Sequence, residues 1–229
     1  MLKGKPFVKW AGGKRSIIDK LIKLVPEDFN TYYEPFIGGG AMLFELQPKK
    51  AVINDYNKEL INVYECIKDE NKFSNMCSEL NKHEMNHSEE YYYQIRNLDK
   101  DKKKFNRLVD YKRAARTIYL NKACFNGLYR VNSKNEFNVP YGKKNKVNTY
   151  DGSNLGIIHC LLNLFDIKIL STDFEEAVKD AKKVILFILI LHMIQIPQLL
   201  IVIRKMALIK KNKEDLQKYL KNWIKEDVM

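Results

Sequence analysis

The chain has 229 residues, of which 45% are hydrophobic and 30% charged. That balance excludes a disordered or fibrous chain and is enough for one or two domains with a sizeable core. Lys plus Arg outnumber Asp plus Glu by 40 to 28, a formal charge of +12, which favours a polyanionic partner, nucleic acid before anionic membrane. The four cysteines, Cys66, Cys77, Cys124 and Cys160, form no CxxC pair, and the four histidines show no ligand spacing. A metal site is therefore not expected, and the cysteines read as reduced, as in a cytoplasmic protein. The opening "MLKGKPFVKWAGGKR" has no apolar segment of the kind a secretory signal needs.

In chain order, "KWAGGKRSIIDKLIKLVP" reads as a glycine loop opening an amphipathic helix, with Ile17, Ile18, Leu21, Ile22 and Leu24 at helical spacing. "TYYEPFIGGGAMLFEL" reads as a strand over 32–37, a glycine turn at 38–40 and a helix from Ala41. "KKAVINDYNKELINVYECI" reads as a second strand ending near Asp55 and a further helix. Together they make a β-α-β unit, the start of a doubly wound sheet. From 58 to 148 the chain turns polar, rich in Asn and Lys, and helical through Tyr119, before the loop-rich "NGLYRVNSKNEFNVPYG". "IIHCLLNLFDIKILSTDFEEAVKDA" returns to helix, strand, helix. The simplest architecture is an α/β frame, 1–57 and 158–182, interrupted by a basic and mostly helical insert, 58–157.

Three stretches carry candidate chemistry. In "EPFIGGGAMLF", glycines between strand and helix let backbone approach a ligand beside a helix N-terminus, although a tight strand-helix turn reads the same way. Asp55, at the end of the next strand, can accept hydrogen bonds from a ribose diol, or simply cap a helix. "FVKWAGGK" joins an aromatic plane, Trp10, to two glycines and a cation, Lys14, which suits a ligand with a carboxylate and an apolar or sulfonium portion.

"FVKWAGGK", "YEPFIGGGAMLF", "INDYN", "YLNKACFNGLYRVNSKNEFNVPYGK" and "IKILSTDF", in this order, resemble the Dam-type DNA adenine N6-methyltransferases over about residues 5–182. The resemblance implies a Rossmann-like methyltransferase sheet with an inserted DNA-recognition domain. It also implies S-adenosylmethionine as cofactor and duplex DNA as partner, with GATC as the family's common target. Trp10 and Lys14 are expected at the methionine end of the cofactor. Gly38 and Gly40 are expected to line its cradle with Glu34 and Phe36 alongside, Asp55 to hold the ribose hydroxyls, and Asp173 and Phe174 to flank its adenine. In the insert, Asn126, Leu128, Arg130 and Asn132 are expected to face DNA. Arg reads guanine bidentately and Asn reads adenine. Lys102, Lys103, Lys104, Arg113 and Arg116 are expected at phosphates. A monomer is expected.

The family's D-P-P-Y motif, which orients the target amine, should follow "STDFEEAVKDAKK" and occurs nowhere in the chain. No catalytic residue is therefore assigned. In its place is an apolar run in which sixteen of the twenty residues 184–203 are apolar. Read one base out of register from near Lys183, permitted codons spell G-D-F-V-Y-F-D-P-P-Y-D. Met193 forces the final Asp, Met206 with Ala207 a downstream Gly, and Trp223 with Ile224 a downstream Asp. Residues 183–229 are accordingly read as an out-of-frame tail that leaves the C-terminal part of the domain aberrant, and the chain as written as inactive. A buried segment of a divergent protein is a second reading of the run, and a membrane span a third. The rival functions are a catalytically dead DNA-binding protein and a membrane-tethered protein using 184–203.

Overall fold

The computed structural model describes residues 3–10, 18–23, 25, 29–181 and 185–187. A short helix α1 (Ile18–Ile22) leads to β1 (Thr31–Glu34), helix α2 (Ala41–Leu46) and β2 (Lys50–Asn54). Six helices follow: α3 (Lys58–Lys68), α4 (Glu70–Met85), α5 (Glu89–Arg96), α6 (Lys102–Asn106), α7 (Asp110–Ala123) and α8 (Gly152–Leu164). The described chain closes with β3 (Asp166–Leu170), α9 (Phe174–Ala177) and β4 (Ile185–Phe187).

The four strands form one parallel sheet in the order β3-β2-β1-β4. Tyr33 lies opposite Val52 on one side and Phe187 on the other, and Val52 lies opposite Lys168. Parallel neighbours need crossover connections, which α2 supplies between β1 and β2. The α/β sheet expected from the β-α-β pattern is present. It also reaches beyond the expected edge of the frame at residue 182, because β4 pairs with β1. The remainder of 184–203 lies outside the described residues. Among the described residues no helix is long and apolar enough to cross a membrane.

The helices after β2 do not all stand apart from the sheet. Leu60, Ile61, Val63, Tyr64 and Ile67 of α3 are buried in the same cluster as Tyr32, Ile53 and Ile167 of the strands. Met76 and Leu80 of α4 join it, as do Ala114, Ala115 and Ile118 of α7. Tyr92, Tyr119, Leu120, Ala123, Phe137, Val139 and Val147 form a second, smaller cluster. Helix α7 thus contributes to both, and its C-terminal half carries the smaller core.

Candidate functional site

The carboxyl ends of β1, β2 and β3 lie side by side, the edge where open parallel sheets present ligand sites. Asn54, only 1% exposed, ties these ends together. Its Nδ2 donates to Pro35 O at 3.0 Å and to Thr172 O at 3.1 Å, and its Oδ1 accepts from Thr172 N at 2.9 Å. The segments after β1 and β3 are thereby held at fixed spacing across β2.

Asp55 follows directly. Its Oδ2 accepts from Gly38 N at 3.1 Å and its Oδ1 from Asn57 N at 2.9 Å. The half-buried carboxylate therefore joins the glycine turn to the start of α3.

Gly38 and Gly40 have φ of 51° and 77°, the left-handed region that favours glycine. They make room for different things. A Cβ on Gly38 would lie 3.0 Å from Trp10 Cδ1, whereas one on Gly40 would lie 2.6 Å from Tyr64 Oη and 2.8 Å from Phe44 Cε2. Gly38 thus admits the Trp10 ring, and Gly40 faces interior side chains. The Tyr64 hydroxyl closes the turn by donating to Gly38 O at 2.8 Å.

Glu34, at the end of β1, is fully buried and its Oε2 accepts from the Tyr32 hydroxyl at 2.7 Å. Burial first, and the Glu34 charge second, push the Tyr32 and Tyr64 hydroxyls well above the ordinary tyrosine value, so both stay protonated donors. Phe36 and Phe174 face each other across the sheet edge, their rings 5.9 Å apart and tilted by 33°. Asp173 is exposed and caps α9 by accepting from Glu175 N at 2.9 Å, which sets the position of Phe174. Lys14 lies outside the described residues.

The N-terminal segment joins this edge to the segment after α7. Trp10 packs on Tyr129 with ring centroids 4.7 Å apart. Asn121, 1% exposed, holds Lys9 at both backbone groups: Oδ1 accepts from Lys9 N at 2.8 Å and Nδ2 donates to Lys9 O at 2.8 Å. The same Nδ2 donates to Gly127 O at 3.0 Å.

Beyond this clamp the chain is open to solvent. Asn126, Leu128 and Arg130 are exposed, and Arg130 is steadied by Asn138, with Nε donating to Oδ1 at 2.8 Å. Asn132 is exposed as well and organises the local turn. Its Oδ1 accepts from Lys134 N and Glu136 N at 3.0 Å each, and its Nδ2 donates to Glu136 Oε2 at 2.8 Å, so it shapes the turn that presents Arg130. Lys102, Lys103 and Lys104 are exposed.

Two expected phosphate contacts are corrected by the structure. Arg116 is buried in α7, where it pairs with Asp99 and donates to the carbonyls of Ile95 and Arg96. Arg113 pairs with Glu59 of α3 and faces the Phe105 ring. Both arginines lie on the inward side of α7 because that helix packs on α3, α4 and α5, an arrangement that net charge does not reveal.

Asn54, Tyr64, Asn121 and Tyr129 were not expected at the site. Asn121 does carry a signal, since it stands on the stripe that Ala114 and Ile118 define at helical spacing. A polar side chain on an apolar stripe needs an internal partner. Among the described residues no group of three or more His, Cys, Asp and Glu side chains is placed to hold a metal ion.

The family model described as D12 class N6 adenine-specific DNA methyltransferase matches residues 10–188. The chain is 47% identical over 178 residues to the type II methyltransferase M1.LlaDCHI of Lactococcus lactis subsp. cremoris, covering 78% of this chain and 62% of that protein. It is 39% identical over 199 residues to the type II methyltransferase M.MjaIII of Methanocaldococcus jannaschii, covering 80% and 68%. It is 36% identical over 143 residues to a DNA adenine methylase of Haemophilus influenzae, covering 62% and 48%. The matches thus span 48% to 68% of the length of these relatives.

Proposed function

The chain belongs to the D12 class N6 adenine-specific DNA methyltransferase family, and on that premise we propose that it carries the cofactor cradle and DNA-recognition segment of an enzyme that methylates adenine N6 in duplex DNA. S-adenosylmethionine fits the donor set at the sheet edge. Asp55 places a carboxylate at the sheet edge for a ribose diol, Phe36 and Phe174 pack beside it as an adenine ring would need, and Trp10 supplies an aromatic surface for a sulfonium. When bound, that cofactor supplies the methyl group.

The protein's own part is positioning. The Asp55 carboxylate fixes the glycine turn, and Tyr64 holds Gly38 from behind. Arg130, exposed and steadied by Asn138, is oriented to read a base edge, with Asn126 and Leu128 beside it. Lys102, Lys103 and Lys104 supply sequence-independent attraction to phosphates. The observation that carries this reading is the continuity from Asp55 through Gly38, Trp10 and Tyr129 to Arg130, which joins the glycine turn at the sheet edge to an exposed segment.

A target amine must also be oriented toward the methyl group, and the family's D-P-P-Y motif for that task is absent from the sequence. We place the motif in the shifted reading frame from near Lys183, directly after the position of β4. The chain as written then transfers no methyl group.

Calorimetry on the frame-corrected protein tests the pocket. Asp55→Asn removes one carboxylate oxygen's worth of charge-assisted bonding, worth roughly 1.5–3 kcal/mol. The expected result is S-adenosylmethionine affinity lower by roughly tenfold to a hundredfold. An unchanged affinity would place the ribose elsewhere.

A further inference from the structure

We propose that Asn121 and Tyr129 couple the DNA-recognition segment to the cofactor loop, so that engagement of duplex DNA at residues 126–130 positions Trp10 at the pocket. The inference rests on the DNA-methyltransferase reading above and adds to it a positioning role for two residues that the sequence did not single out.

Three independent contacts converge on Lys9 and Trp10. Asn121 grips Lys9 at both backbone N and O, each at 2.8 Å, as a neighbouring strand would, and the same amide holds Gly127 O at 3.0 Å. All the hydrogen-bonding directions of a carboxamide that this buried site admits are thus turned toward two segments far apart in sequence. Gly127 has φ of 67°, and a Cβ there would lie 2.6 Å from Lys9 Cδ, so the recognition segment sits directly on the Lys9 side chain. Tyr129 packs on Trp10 with ring centroids 4.7 Å apart and planes tilted by 31°, and a Cβ on Gly38 would lie 3.0 Å from Trp10 Cδ1. Trp10 is therefore held between Tyr129 and the Gly38 turn.

The geometry makes the two functions mechanically inseparable. Asn126 and Leu128 are exposed on either side of buried Gly127, and Arg130 adjoins Tyr129. A force on these side chains from a DNA groove reaches Trp10 through one carboxamide and one ring. Coupling between two sites requires such a shared element with differential contacts in the bound and free states.

The test uses the full chain with Trp223→Phe, which leaves Trp10 as the single tryptophan. A fluorescein-labelled duplex of mixed sequence containing GATC reports DNA binding by anisotropy, and Trp10 emission with an unlabelled duplex of the same sequence reports the loop. The expected result is a DNA-induced change in Trp10 emission in this parent. Asn121→Asp, which points a second acceptor at the Lys9 and Gly127 carbonyls, should lose that change while DNA is still bound. Tyr129→Ala should lose it as well, and Tyr129→Phe, which keeps the ring, should retain it. Circular dichroism confirms folding, and the Tyr129 pair decides the matter if Asn121→Asp does not fold. DNA binding with an unaltered Trp10 response in Asn121→Asp and Tyr129→Ala, or with no response in the parent, would overturn the coupling alone. Absence of DNA binding in the parent would overturn the DNA-recognition reading, and the coupling with it.

Discussion

Arg116 and Asp99 form an ion pair at 2.8 Å, with side chains 5% and 6% exposed. The Asp99 carboxylate also accepts from Phe137 N at 2.8 Å, and the guanidinium donates to Ile95 O at 2.9 Å and Arg96 O at 2.7 Å. One pair therefore pins the segment at Phe137, the end of α5 and the middle of α7 to each other. Arg116→Ala leaves the Asp99 charge buried and unpaired, which costs about 3–5 kcal/mol. Urea unfolding should show a loss of that size. A loss below about 1 kcal/mol is the value for a surface ion pair and would contradict the burial described here.

His83 makes the small core sensitive to acid. Its ring is stacked on Tyr119 at 4.8 Å, its Nδ1 bonds the Tyr91 hydroxyl at 2.8 Å, and burial lowers its pKa from 6.5 to about 4. The unfolded chain takes up the proton first as pH falls, because the folded pKa is the lower one. The associated stability is fully present above pH 6.5 and is lost as pH falls toward 4. The size is on the order of 3 kcal/mol. His83→Leu should remove this component, so the difference in unfolding free energy between neutral and acid pH should shrink in the variant. An identical pH dependence in the two proteins would show that other groups set it.

Arg130 is expected to discriminate between bases, and the lysines of α6 are not. In the frame-corrected protein, Arg130→Ala should reduce the preference for a cognate over a one-base-altered duplex by about 1–3 kcal/mol. Lys103→Ala should weaken binding to both duplexes alike and lower its salt dependence. Methylation rates on the two duplexes give the ratio, and an unchanged ratio in Arg130→Ala would mean that Arg130 reads no base.

Much of the sheet edge was legible in the sequence because its signals are local. The strand, triple glycine and helix of "YYEPFIGGGAMLF" form β1, the turn and α2, and the next apolar run forms β2 just ahead of Asp55. "DIKIL" forms β3 as its alternation with α8 suggests. The missing parts were those that depend on distant partners. Net charge placed Arg113 and Arg116 at phosphates, but their carboxylate partners, Glu59 and Asp99, lie 54 and 17 residues upstream, a pairing not visible as a pattern. Asn54 and Asn121 look like ordinary polar residues until the fold brings Thr172 and Lys9 to them. β4 was hidden because an apolar run is shared by buried strands, membrane spans and chance translation, and the backbone pairing of residues 185–187 with β1 is visible only in the fold.

The central claim is that the framework of a DNA adenine methyltransferase is present and that its amine-orienting motif lies out of frame after β4. Labelled methyl transfer from S-adenosylmethionine to duplex DNA tests it most directly, with the chain as written beside a version corrected by one base near the Lys183 codon. Leu191 and Ile194 offer no side-chain acceptor for the target amine, and such positioning cannot be supplied by apolar groups. The account predicts N6-methyladenine from the corrected protein and none from the chain as written. Transfer by the uncorrected chain, or its absence after a correction that restores D-P-P-Y, would contradict it.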